Sequence, residues 1–148
     1  MKKHHRNHGF TLIELLVVIA IIAILASLVL SAAGFVQKKG ARSRATAEIA
    51  AIGAALESYK VDNGDYPLNT NAGSDSNIVA ALMPTNGGKV YFEFKTKFLT
   101  NGNYNDHFGY SYNYIYTNGS PNNGTNNYDL WSSAGGPTTT SNTWIKNW

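Results

Sequence analysis

The sequence predicts an α+β protein: a long N-terminal helix, membrane-spanning at first and then amphipathic, packed on a small antiparallel sheet. Three observations predict it. Residues 15–30 form an uncharged apolar run, residues 45–59 carry an apolar stripe at helical spacing, and short alternating tyrosine-rich runs lie beyond residue 90. Setting aside the first third of the 148 residues leaves about 90 for a folded head, enough for one small core.

The apolar run opens in "GFTLIELLVVIAIIAILASLVL" and continues past Ser31 to Val36. At ~1.5 Å per residue, a helix over residues 10–36 is about 40 Å long, against roughly 30 Å of bilayer hydrocarbon. The segment can span a membrane. It holds one carboxylate, Glu14, and an acid at the centre of a span costs ~2.5 to 3.5 kcal/mol, less near its end. Either Glu14 stays wet at the headgroup level or a cationic group meets it within the membrane; position alone leaves both open. A secretory signal peptide is the alternative reading of the same region, with "MKKHHRNH" as its basic start and Ser31-Ala32-Ala33 as a cleavage site. The run exceeds the usual ~7 to 15 residues of such a peptide, and Glu14 interrupts it. Basic residues flank the span on both sides, Lys2, Lys3 and Arg6 before it and Lys38, Lys39, Arg42 and Arg44 after it, so charge does not orient it.

Composition narrows the partners. The formal charge is +3, but Lys2, Lys3 and Arg6 precede Gly9, and the remainder balances nine Lys/Arg against nine Asp/Glu. No basic patch with interleaved aromatics is left to engage nucleic acid. The chain has no cysteine, which excludes disulfides, thiolate catalysis and Cys-based zinc sites.

Beyond the span, Ala45, Ile49, Ile52, Leu56 and Tyr59 recur at spacings of four and three, a docking face for the chain's own head. No proline precedes Pro67. Gly34, Gly40 and Gly53 are places for the helix to bend or loosen, since each costs ~1 kcal/mol relative to Ala. Asp62-Asn63-Gly64 reads as the helix stop, with Gly64 free to turn left-handed.

In the head, "VYFEF" (90–94) and "YSYNYIY" (110–116) alternate as strands do, and Tyr110, Tyr112, Tyr114 and Tyr116 share one face in the second. Such a row predicts a sheet face packed on a helix. "NGSPNNG" (118–124) reads as a turn leading to "YDLWS".

"GFTLIELLVVIAIIAIL" after a short basic leader resembles the type IV prepilin motif shared by type IV pilins and type II secretion pseudopilins. "YKVDNGDYP" (59–67), "YDLWSSAGG" (128–136) and the final "IKNW" narrow the likeness to the major pseudopilins of type II secretion. The match covers the first 67 residues well and the last 21 in outline. It implies a pilin-like fold divided into a leader (1–9), a transmembrane and assembly half of the helix (10–36), an amphipathic half (37–64) and a periplasmic head (65–148). It further implies cleavage by prepilin peptidase between Gly9 and Phe10, N-methylation of Phe10, and pairing of Glu14 with the new amino terminus of a neighbouring subunit. Two buried charges are tolerable when paired, and stripping one of its partner costs roughly 3 to 5 kcal/mol. The implied partners are further copies in a filament, minor pseudopilins, the peptidase and an inner-membrane assembly platform. Many relatives carry a proline where this chain has Ser31.

Members of that family commonly bind calcium in the C-terminal loop. Here the acids are scarce: Asp129 is the only carboxylate from residue 107 onward, so Asp129 with Ser132 makes at best a weak site. Trp131, Trp144 and Trp148 are the alternative means of holding the loop, each burying ~150 to 250 Å².

Nothing local points to catalysis. His4, His5 and His8 belong to the leader, where positive charge and solubility account for them. His107, beside Asp106, belongs to no recognisable nucleophile pattern, and there is no G-x-S-x-G or phosphate-binding glycine loop. The expected function is that of a filament subunit driving type II secretion, not an enzyme, in the bacterial inner membrane with its head in the periplasm. The competing readings are a type IV pilin for adhesion, motility or DNA uptake, and a secreted soluble binding domain behind a signal peptide. The absence of cysteine, and hence of a C-terminal disulfide common in such pilins, favours the first.

Overall fold

The computed structural model describes residues 9–69, 76–117, 122–124, 126–136 and 141–148, with backbone only at 31, 32 and 76. In chain order the elements are α1 (Leu12–Asn63), α2 (Ser76–Leu82), β1 (Leu99–Thr100), β2 (Asn103–Tyr104), β3 (Asn113–Ile115), β4 (Asp129–Ser132) and β5 (Ile145–Lys146), with single 3-10 turns at Thr96–Phe98 and Ser141–Thr143. The chain divides into two compact units, one ending at Lys38 and one beginning at Lys39.

In the first unit the helix is built from Leu, Ile, Val and Ala without proline, and its large apolar side chains are all exposed. Among the described residues α1 is the one helix long and apolar enough to cross a membrane. Its polar Ser27 is satisfied within the helix, where the hydroxyl donates to the Ile24 carbonyl at 2.7 Å.

The second unit has the core. Ala45, Ile49, Ile52 and Leu56 are buried along one face of α1, with Tyr59 packed partly buried against the same cluster. The helix stops at Asn63, where Gly64 takes φ 86° and its N–H donates to the Lys60 carbonyl at 2.8 Å. Gly53 serves close approach: a Cβ there would meet the Tyr128 hydroxyl at 2.9 Å.

The main sheet is antiparallel in the order β3-β4-β5, with Tyr114 opposite Leu130 and Trp131 opposite Lys146. β1 and β2 form a separate hairpin whose two turn residues, Asn101 and Gly102, have φ of 51° and 81°, the signs that match the twist of a tight hairpin. Tyr112, Tyr114 and Tyr116 are buried as the alternation predicts, but Tyr110 is 52% exposed. The Asp106 N–H donates to the Tyr110 carbonyl at 2.7 Å, and this turn takes Tyr110 out of the strand's alternation.

Residues 90–94 are not a strand. The N–H groups of Tyr91 and Phe92 both donate to the Leu82 carbonyl, at 2.8 and 3.2 Å, so they cap the end of α2 in place of pairing in a ladder. Their rings join the core edge-on, with Phe92 and Phe94 4.8 Å apart and Phe94 and Tyr104 4.9 Å apart. Of the expected turn over 118–124, residues 118–121 lie outside the described residues, whereas Asn122 and Asn123 do turn.

Candidate functional site

The N-terminal end carries the first set of candidate residues. Gly9, Phe10 and Thr11 precede α1, and Phe10 is exposed. Thr11 caps the helix: its Oγ1 accepts from the Glu14 N–H at 3.3 Å, while Glu14 Oε2 accepts from the Thr11 N–H at 2.9 Å and from the Thr11 hydroxyl at 2.7 Å. This reciprocal arrangement is a capping box. Glu14 therefore has a structural task within its own chain, holding donors that the helix start would otherwise leave orphaned. The Thr-x-x-Glu pattern at 11–14 signals it in the sequence. His4, His5 and His8 lie outside the described residues.

The second set lies in the head, where Asp129 and Ser132 sit at the two ends of β4 and face different partners. Asp129 is fully buried; its Oδ2 accepts from the Asn122 N–H at 3.1 Å and side-chain amide at 2.8 Å, and its Oδ1 from the Asn123 N–H at 3.1 Å. Ser132, also buried, donates to Asp106 Oδ2 at 2.5 Å and accepts from the Ala134 N–H at 3.0 Å. Asp106 in turn takes the N–H groups of Phe108 and Tyr110 on Oδ1, at 2.8 and 3.0 Å. These oxygens face hydrogen-bond donors, and a calcium ion needs oxygens whose lone pairs are open to it. Asp129 and Ser132 do not fit a shared cation. No group of three or more His, Asp or Glu able to hold a metal is found among the described residues.

Of the three tryptophans expected to hold the loop by burial, Trp131 is buried, and Trp144 and Trp148 are only partly so. Trp131 stacks on Trp144 with centroids 5.4 Å apart and meets Trp148 edge-on at 5.8 Å. Asn147 fastens the same segment to β4, its Oδ1 accepting from the Leu130 N–H at 2.9 Å and its amide donating to the Tyr128 carbonyl at 3.1 Å. Arg42 of α1 reaches the Thr143 carbonyl at 2.9 Å.

A third cluster escaped the sequence reading. Glu48, on α1, accepts from the Tyr112 hydroxyl at 2.7 Å and the Tyr104 hydroxyl at 3.2 Å, with His107 Nδ1 at 3.5 Å and Lys95 Nζ at 3.8 Å. Burial, and then the adjacent carboxylate, pushes both phenols above their ordinary range. His107, isolated in sequence, is thus brought to a carboxylate. The geometry of the cluster is that of a bolt between helix and head.

An exposed apolar helix opened by a Thr11–Glu14 cap, together with a small α+β head, defines a class: subunits built on the type IV pilin plan. Comparison with known proteins is specific within that class. Residues 4–30 match the Prokaryotic N-terminal methylation motif, and residues 35–148 match Type II secretion system (T2SS), protein G. The chain belongs to the type II secretion system protein G family. It is 40% identical over 84 residues to the Type II secretion system core protein G of Escherichia coli (strain K12), an alignment covering 57% of each chain. Its counterpart in Vibrio cholerae is 38% identical, again over 57% of each chain, and that of Aeromonas hydrophila is 44% identical over 48% of this chain and 49% of its own. The chain thus spans about half the length of the relatives it matches. No solved structure matches it.

Proposed function

We propose that the chain is the structural subunit of a periplasmic pseudopilus that drives type II protein secretion, acting mechanically and without catalysis. The observation that carries this reading is the family match over residues 35–148 directly behind a methylation motif at residues 4–30. In this reading prepilin peptidase cuts between Gly9 and Phe10, and Phe10 is N-methylated. The subunit then rests in the inner membrane by a single span over residues 10–36, its head in the periplasm, until the assembly platform, minor pseudopilins and further copies take it into the filament. Cleavage creates an amine at Phe10, and Glu14 of an adjoining copy supplies the anion that makes its burial tolerable.

Two measurements test this. Intact mass of the protein from cells is expected to equal that of residues 10–148 plus one methyl group; a chain starting elsewhere refutes the processing. Glu14→Ala is expected to insert in the membrane and yield few filaments, with secretion lost; normal filaments from that variant refute the pairing.

A further inference from the structure

We propose that the exit of β4 is fastened by the chain's own Asp106–Ser132 link, and that neither Asp106 nor Asp129 serves a divalent cation. Two buried carboxylates stand near the ends of β4, and each is already surrounded by donors. Asp106 takes two backbone N–H groups and the Ser132 hydroxyl, and Asp129 takes two backbone N–H groups and an amide. For either to ligate a cation, N–H groups now pointing at its oxygens would have to turn away, leaving buried donors unpaired.

What the link does is visible in its geometry. Ser132 is the last residue of β4, and its oxygen both donates to Asp106 and receives the Ala134 N–H, at 2.5 and 3.0 Å. That pins the exit of the strand to the turn at residues 106–110, which bears on the other side of the same carboxylate. The turn that follows is tight: Ala134 and Gly135 have φ of 54° and 76°, and the Gly136 N–H returns to the Ser133 carbonyl at 3.0 Å. A Cβ on Gly135 would come within 3.2 Å of Phe108, so the loop exit lies directly on the Asp106 turn. The far side is then held by Asn147 and the three tryptophan rings. Asp106 is a positioning residue, its carboxylate satisfied by the N–H groups of Phe108 and Tyr110 and the Ser132 hydroxyl. The inference rests on the fold of the head and stands apart from the secretion role proposed above.

The test is thermal unfolding of the full processed chain in detergent micelles, followed by tryptophan emission, since all three tryptophans lie in this segment. The probes are calcium chloride and EGTA. The midpoint is expected to agree within ~1 °C in the two buffers, whereas a loop that bound calcium at saturation would gain on the order of 10 °C. Ser132→Ala and Asp106→Asn are expected to lower the midpoint by roughly 5 to 15 °C in both buffers and to shift the emission to the red. A calcium-induced rise in the unaltered chain overturns the proposal, as does calcium rescue of Ser132→Ala. So do variants that melt like the parent. If Asp106→Asn does not fold, Ser132→Ala and the comparison of buffers still decide it.

Discussion

Glu48 offers the sharpest quantitative test of how the head is bolted to its helix. Its carboxylate accepts two phenolic hydroxyls, from tyrosines that are themselves fully buried, while its own side chain is 12% exposed. Hydrogen bonds to a charged group contribute ~1.5 to 3 kcal/mol, and a buried hydroxyl left without a partner costs ~1 to 3 kcal/mol. Glu48→Ala removes both acceptors, so a loss of about 3 to 5 kcal/mol is expected. Tyr112→Phe, which removes the shorter of the two bonds, should lose about 1.5 to 3 kcal/mol. In the Glu48→Ala background the Tyr112 hydroxyl is already orphaned, so removing it there should cost nothing measurable. The resulting coupling is about 1.5 to 3 kcal/mol. Urea denaturation of the four proteins in micelles, read by tryptophan emission, supplies the cycle, with Tyr110→Phe as an exposed control. Losses that add to within ~0.5 kcal/mol would show that Glu48 and Tyr112 do not act together, and the bolt would have to be abandoned.

Two pH dependences follow. Burial raises the Tyr128 hydroxyl to about 12, and raises Tyr66, Tyr104, Tyr112 and Tyr114 further. A raised folded value means that stability is fully present below the unfolded value of about 10 and is lost as pH climbs through the folded one. Tyrosinate absorbance and loss of the fold should therefore rise together between about pH 10 and 12; tyrosinate appearing in a chain that stays folded contradicts the buried row. Asp65 has the opposite sense, because the Tyr116 hydroxyl, and then the Tyr66 N–H, hold its carboxyl below the usual range. Its contribution is present above the unfolded value of about 3.9 and disappears as pH falls through the lower folded value. Asp65→Asn should flatten the acid limb of a midpoint-versus-pH curve, and an unchanged slope rules Asp65 out as its source.

Much of the architecture was legible because its causes are local. The stripe from Ala45 to Leu56 repeats at the helical period, and Gly64 supplies the left-handed residue that stops α1. The tyrosine row announced a buried face by simple alternation. What failed had distant causes. Residues 90–94 alternate like a strand, yet their N–H groups answer to Leu82, a partner that no pattern within those five residues reveals. α2 is seven residues long, too short for a period to stand out. Asp106 lies outside the C-terminal loop in sequence, and Ser132 meets it across 26 positions. Asp129 drew attention as a metal ligand because it is charged, and the structure commits it to Asn122 and Asn123 instead. The Thr11–Glu14 cap, by contrast, has a local cause, a Thr-x-x-Glu pattern directly ahead of an apolar run.

The cap also fixes where helical bonding begins, and the first such bond runs from the Leu15 N–H to the Thr11 carbonyl at 3.3 Å. The peptide between Gly9 and Phe10 lies ahead of it, in chain with no ladder of its own. Were this peptide cut as proposed above, no turn of α1 would have to unwind, and the hydroxyl of Thr11 and carboxylate of Glu14 would keep the new end of the chain from fraying.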